Sequence, residues 1–263
     1  MRARPNAIEL NDGTTIPILF ENRSVLAIDK PAGWMLVPFT WQKTNRNLHA
    51  AIVAAIASKQ FWARSRNLKF LCHVHRLDTE TTGILLFAKS RGALDTIGDL
   101  FEARRVAKRY LTVVHGVPKE KEWTCRLKIS QDTEQIGRVY IDAESGKEAE
   151  TQFIVLGSNG KKTLIDARPV TGRTHQIRVH LVSAGLYVIG DPLYTSSAAP
   201  SSPARTSHRR PSSSMALRAV DLSYVDPFTR KPVAIHAPFA DFVTQFGFDP
   251  AIVPRFTPAR HDN

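Results

Sequence analysis

The apolar run Ile84-Leu85-Leu86-Phe87-Ala88 follows without a break on the polar block His75-Arg76-Leu77-Asp78-Thr79-Glu80-Thr81-Thr82-Gly83. The run reads as a buried strand and the block as the loop that delivers a carboxylate, a guanidinium and several hydroxyls to its start. Rigid elements that fix the position of a polar loop are how folds build active sites. An isolated Arg-x-Asp is more often a turn aspartate with a surface partner, an ion pair of about 0 to 1 kcal/mol. The rest of the chain therefore decides what Asp78 is for.

At 263 residues and 43% hydrophobic content the chain has material for a sizeable core in one large domain or two modest ones. Cys72 and Cys125 are the two cysteines, which fits a reducing compartment better than a disulfide framework. Residues Met1 to Leu10 lack the apolar stretch of a secretory signal. No run approaches the roughly 18 to 20 apolar residues of a membrane span, so we expect a cytoplasmic protein with no membrane partner. The net charge of +12 and a pI near 10.0 point to a polyanionic partner, nucleic acid first.

Phe20 to Asp29 is extended and ends in the turn Lys30-Pro31-Ala32-Gly33. Leu48, Ile52, Ala55 and Ile56 share a helical face behind the cap Asn47. A second helix starts at Ser90, with Leu94, Ile97 and Phe101 in register and Arg104 and Arg105 expected in its last turn. Tyr110 to His115 alternates like a strand, and Glu150 to Leu156 and Thr163 to Val170 are extended. A short helix carries Ile177, His180, Leu181 and Ala184, with Gly185 at its stop. Residues 195–214 read as a mobile basic Ser/Pro-rich loop, and strand pattern resumes at Leu217 to Val225 and Val233 to Ala237. Successive strands without regular βα alternation predict a mixed α+β fold with a largely antiparallel sheet.

Asp78 is charged at neutral pH and is thus a ready nucleophile, which a nearby arginine would keep ionised. Tyr110 lies beside Lys108 and Arg109, a pattern in which an aromatic stacks on a base while cations meet phosphates; core packing is the plainer reading. Arg173 and Arg178 flank the opening of the short helix and suggest an anion-binding surface. Cys72, His73 and His75 suggest a metal, but adjacent ligands suit tetrahedral coordination poorly, and no metal is expected. Gly-rich phosphate loops are absent.

Taken in order, Lys30-Pro31-Ala32-Gly33, the His75 to Gly83 block, Lys108-Arg109-Tyr110, Gly172-Arg173-Thr174-His175-Gln176-Ile177-Arg178-Val179-His180-Leu181 and Gly190-Asp191-Pro192-Leu193-Tyr194 resemble the successive motifs of the RluA-type pseudouridine synthases, over about residues 20 to 240. The resemblance implies the pseudouridine synthase fold, with flanking helices on a mainly antiparallel central sheet and a central RNA-binding cleft. It implies an isomerase that converts uridine to pseudouridine in ribosomal or transfer RNA. Asp78 matches the catalytic aspartate, Tyr110 the active-site tyrosine and Arg178 the arginine that pairs with the aspartate. Arg76, Lys108, Arg109, Arg173, His175 and Gln176 would contact RNA, with Ile177 and Leu181 lining the base pocket. Moving the glycosidic bond from N1 to C5 is redox neutral, so no cofactor is expected, and the target base must leave its stack.

The expected organisation is an N-terminal extension over 1–19, a catalytic domain over 20–245 and a C-terminal tail over 246–263, acting as a monomer. Where the family often shows Leu-His-Ala, this chain has Leu217-Arg218-Ala219. The rival from another class is a non-catalytic RNA-binding or ribosome-assembly protein that keeps the fold.

Overall fold

The computed structural model describes residues 4–36, 46–195 and 214–257. In chain order the strands and helices are β1 (Ala7–Glu9), β2 (Thr15–Glu21), β3 (Val25–Lys30), α1 (Leu48–Ala57), α2 (Phe61–Arg64), β4 (Cys72–His73), β5 (Thr82–Ala88) and α3 (Arg91–Glu102). There follow β6 (Ala107–His115), β7 (Glu122–Cys125), β8 (Ile129–Gln131), β9 (Val139–Ile141), β10 (Thr151–Ser158), β11 (Lys162–Pro169) and α4 (Gln176–Ser183). The chain closes with β12 (Tyr187–Val188), β13 (Leu217–Val225), β14 (Pro232–His236) and α5 (Ala240–Gln245). Among the described residues two compact units result, one from the stretch up to Ala107 with Ala219–Ala237, the other from Lys108–Arg218 with Pro238–Thr257.

In the first unit β1, β2, β3 and β5 lie side by side in antiparallel ladders, with β4 pairing onto β5 and β14 onto β13. Ile84 to Ala88 are buried at every position, as a strand covered on both faces requires. Asn47 caps α1 by accepting from the Ala50 N–H at 3.0 Å, and Leu48, Ile52 and Ala55 turn into the core. The stretch before Phe20, read from sequence as an extension, supplies β1 and most of β2 and buries Ile8, Leu10 and Ile16.

Helix α3 begins as expected, Ser90 Oγ accepting from the Ala93 N–H, but its end differs. Arg104 sits at φ +58°, and the Arg105 and Arg104 N–H groups close back on the carbonyls of Leu100 (2.8 Å) and Phe101 (3.2 Å). This Schellman closure satisfies the last carbonyls and puts both arginines beyond the helix rather than in its last turn.

In the second unit the antiparallel order is β6-β11-β10-β7, with β12 on the other side of β6 and β8 paired with β9. Leu111, Val113, Val114, Phe153, Leu164, Ile165 and Leu181 form its interior. Helix α4 ends in the closure that Gly185 announces, at φ +72°, with Leu186 N–H on Leu181 O and Gly185 N–H on Val182 O. The segment expected as a C-terminal tail buries Phe246, Phe248 and Val253 and contains a 3-10 turn over Pro250–Ile252. The basic loop expected over 195–214 falls, except for its two end residues, outside the described residues.

Candidate active site

The Asp78 loop is built from inside the first unit. Lys30, with no exposed surface, ends β3 and points its ammonium at the loop, donating to the carbonyls of Thr79 (2.8 Å), Thr81 (2.9 Å) and Pro31 (3.1 Å). Gly33 N–H donates to the same Thr79 carbonyl, so the Lys30-Pro31-Ala32-Gly33 turn and the loop are tied together. Burial pulls the Lys30 pKa down to about 8, against the opposing pull of the Asp78 and Glu80 carboxylates. Within the loop Thr81 N–H closes on Asp78 O at 3.2 Å. Asp78 is half-buried, Leu77 is buried beside it and Arg76 is exposed.

Two residues set the ends of this loop. Gly83 has φ +105°, and a Cβ there would lie 2.0 Å from the Ala219 carbonyl oxygen, so only glycine lets the backbone of β13 approach. His75 Nε2 accepts from the Leu86 N–H at 3.1 Å, and its ring stacks on Phe101 with centroids 4.9 Å apart. That bond settles the tautomer, with the proton on Nδ1.

In the second unit Tyr110 lies on β6 and is 9% exposed. Its basic neighbours are drawn inward. Arg109, 1% exposed, donates from Nε to Asp166 Oδ2 (2.8 Å) and from Nη1 to Pro254 O (3.0 Å), and Arg168 reaches the same carboxylate. Arg109, expected from the sequence to meet RNA, has its guanidinium against a buried aspartate. Lys108 donates to Thr171 O at 3.1 Å, and burial lowers its pKa to about 8.

Arg178, 3% exposed, is held in a fork. Nε meets Asp191 Oδ2 and Nη2 meets Asp191 Oδ1, both at 2.7 Å, while the guanidinium stands 5.0 Å from the Tyr194 ring centroid. Asp191 Oδ1 also accepts from the Leu193 and Tyr194 N–H groups. The motif Gly190 to Tyr194 thus supplies the acid that a buried arginine next to Ile177 needs, and Asp191 is the residue in the sequence that signals it.

The other residues expected at the RNA divide sharply. Gln176 spends its amide inside: Oε1 accepts from Thr171 Oγ1 (2.6 Å) and the Arg173 N–H (2.9 Å), and Nε2 donates to Glu150 O and Thr151 Oγ1 (both 2.9 Å). His175, at φ +51°, is buried with Nδ1 3.1 Å from Tyr194 Oη. Leu181 has no exposed surface and Ile177 is 6% exposed. Gln176, His175 and Leu181 thus pack and hydrogen-bond within the second unit. Arg173 stays at the surface, its Nε on Glu148 O at 2.9 Å. Only Arg76 and Arg173 of that set are exposed.

Comparison with solved structures identifies the class that this antiparallel α+β architecture defines. Human RNA Pseudouridylate Synthase Domain Containing 4 superposes with a TM-score of 0.65 at 22% identity, covering 84% of this chain and 87% of that one, so the fold is the pseudouridine synthase fold. The family model for RNA pseudouridylate synthase matches residues 24–183, and the chain belongs to that family. Among sequence relatives, mouse Pseudouridylate synthase RPUSD2 is 35% identical over 70% of this chain, and the match spans 31% of that protein's length. Ribosomal large subunit pseudouridine synthase C of Vibrio cholerae is 32% identical over 87% of this chain and 67% of its own.

Proposed function

We propose that this protein isomerises uridine to pseudouridine in ribosomal or transfer RNA, with Asp78 as the nucleophile. The observation that supports it most is the clamp of Lys30 on the loop of Asp78, a fixed presentation of one carboxylate in a family member. In this reading the Asp78 carboxylate acts at the ribose C1′, by direct attack or after elimination to a glycal, and the N1–C1′ bond breaks. The freed uracil turns and bonds to C1′ through C5 as the bond between C1′ and the Asp78 carboxylate breaks; the C5 proton passes to solvent and N1 takes one up. Tyr110 stacks on the base and handles the proton, and Arg178 is the charge partner of the carboxylate. No electron is gained or lost, so the reaction calls for no redox group.

Arg76 and Arg173 remain the candidates for phosphate contacts, because a charge must be exposed to exchange condensed counterions. Among the described residues no helix is long and apolar enough to cross a membrane. A monomer acting in the cytoplasm fits this reading.

Tritium release from RNA carrying uridine labelled at C5 tests the proposal. The native chain should release tritium, and Asp78→Asn should lower release by at least about 10³-fold with RNA affinity nearly unchanged. Binding of RNA with no release by the native chain would favour a non-catalytic RNA-binding protein instead.

A further inference from the structure

The first unit also holds a histidine and cysteine cluster that the proposed chemistry does not use. The ligand atoms of His49, Cys72 and His73 all lie within 4.8 Å of one another. His49 belongs to the first turn of α1, and Cys72 and His73 make up β4. The Nδ1 atoms of His49 and His73 are 3.3 Å apart, with the rings nearly perpendicular at 80°. Two nitrogens each about 2.05 Å from a zinc ion and separated by a tetrahedral angle stand roughly 3.3 Å apart, so the pair already spans one edge of such a site. The Cys72 sulfur would stand roughly 3.6 Å from each nitrogen, a closure of at most about 1.2 Å from the 4.8 Å within which the three ligand atoms lie. The Cys72 sulfur donates over a long 3.8 Å to the His73 carbonyl.

The chemical state of the three residues suits this role. Burial lowers the pKa of His49, and burial together with the charges of His49 and Arg76 lowers that of His73 to about 4. Neutral imidazole is the form that ligates, and burial disfavours the charged form of both rings. Burial raises the Cys72 thiol, so its proton leaves to solvent as the metal–sulfur bond forms. A set of two imidazoles and one thiolate, with no carboxylate, selects a borderline-soft ion over magnesium or calcium. All three residues are half-buried, which leaves a fourth position for water.

Sequence spacing had set Cys72 and His73 beside His75, and the structure changes the third member. His75 is committed to the Leu86 N–H and the Phe101 ring, while α1 brings His49 in from 24 residues before His73. We propose that His49, Cys72 and His73 form a three-ligand site for a zinc ion that ties the start of α1 to β4, the strand preceding the Asp78 loop.

The test uses the full chain, stripped by chelator and titrated with Zn²⁺ against a chromophoric competitor and separately with Co²⁺. One ion per chain is expected, with a thiolate-to-cobalt charge-transfer band and the visible absorption of tetrahedral cobalt. Cys72→Ser should abolish the charge-transfer band and weaken zinc binding at least tenfold. His49→Gln, at a partly exposed helix position, should weaken it as much, and circular dichroism before metal addition checks that both variants are folded. His236→Ala, which removes an exposed imidazole paired with Asp221, should bind like the native chain. No saturable one-to-one binding by the native chain would overturn the proposal. So would native-strength binding by folded Cys72→Ser and His49→Gln, or its loss in His236→Ala.

Discussion

Burying an ammonium group costs several kcal/mol unless its protons find acceptors, and Lys30 shows what that cost holds in place. Its three carbonyl acceptors lie in the Pro31 turn and on either side of Glu80, so the position of Asp78 depends on a side chain that never meets solvent. Lys30→Met keeps the stem and removes the clamp. Tritium release should fall by about 10- to 100-fold through displacement of the carboxylate, with RNA binding little affected. Lys108 carries a related consequence for stability. Burial lowers its folded-state pKa from 10.5 to about 8, so between those values the unfolded chain holds a proton that the folded chain has released. Stability from this group therefore rises with pH across that window, at up to about 1 kcal/mol per pH unit. Urea unfolding of the native chain and of Lys108→Met at pH 8 and pH 10 should show the native chain gaining more.

At the scale of elements, Gly83 joins loop to strand. A methyl group there would meet the Ala219 carbonyl, and the backbone is left-handed besides. Gly83→Ala should cost about 3 kcal/mol or more, which for a chain of this size lowers Tm by roughly 6 to 12 °C in a melting experiment. Most elements were legible because their signals are local: the Asn47 and Ser90 caps, the stop at Gly185 and the unbroken apolar run of β5 need no distant partner. The chemistry that depends on partners was not. Arg109 and Gln176 look like surface recognition residues in sequence, and they are internal because Asp166, Pro254, Glu150 and Thr151, far along the chain, supply their complements. Asp78 and Lys30 stood out from their motifs, but the sequence held no sign that one fixes the loop of the other. The N-terminal strands escaped for another reason, since β1 is three residues long and too short for periodicity to register.

The whole molecule carries a net charge of +12, and its affinity for RNA should fall steeply with salt. Lys30, Lys108, Arg109 and Arg178 are engaged inside, so that dependence falls to the exposed cations. Replacing exposed Arg173 by Ala should lower the slope of log affinity against log salt by about 1, uniformly across RNA sequences, in a filter-binding series. Replacing Arg109 would instead strand the Asp166 carboxylate with Arg168 and act on folding. The segment 250–257 matters to the same arginine, through the Pro254 carbonyl and the Phe256 ring 5.9 Å from its guanidinium. A shortened version cut before Pro254 would leave a buried cation facing a gap, so anyone trimming this chain for crystals or fusing a tag to its end should keep the last turn and the proline after it intact.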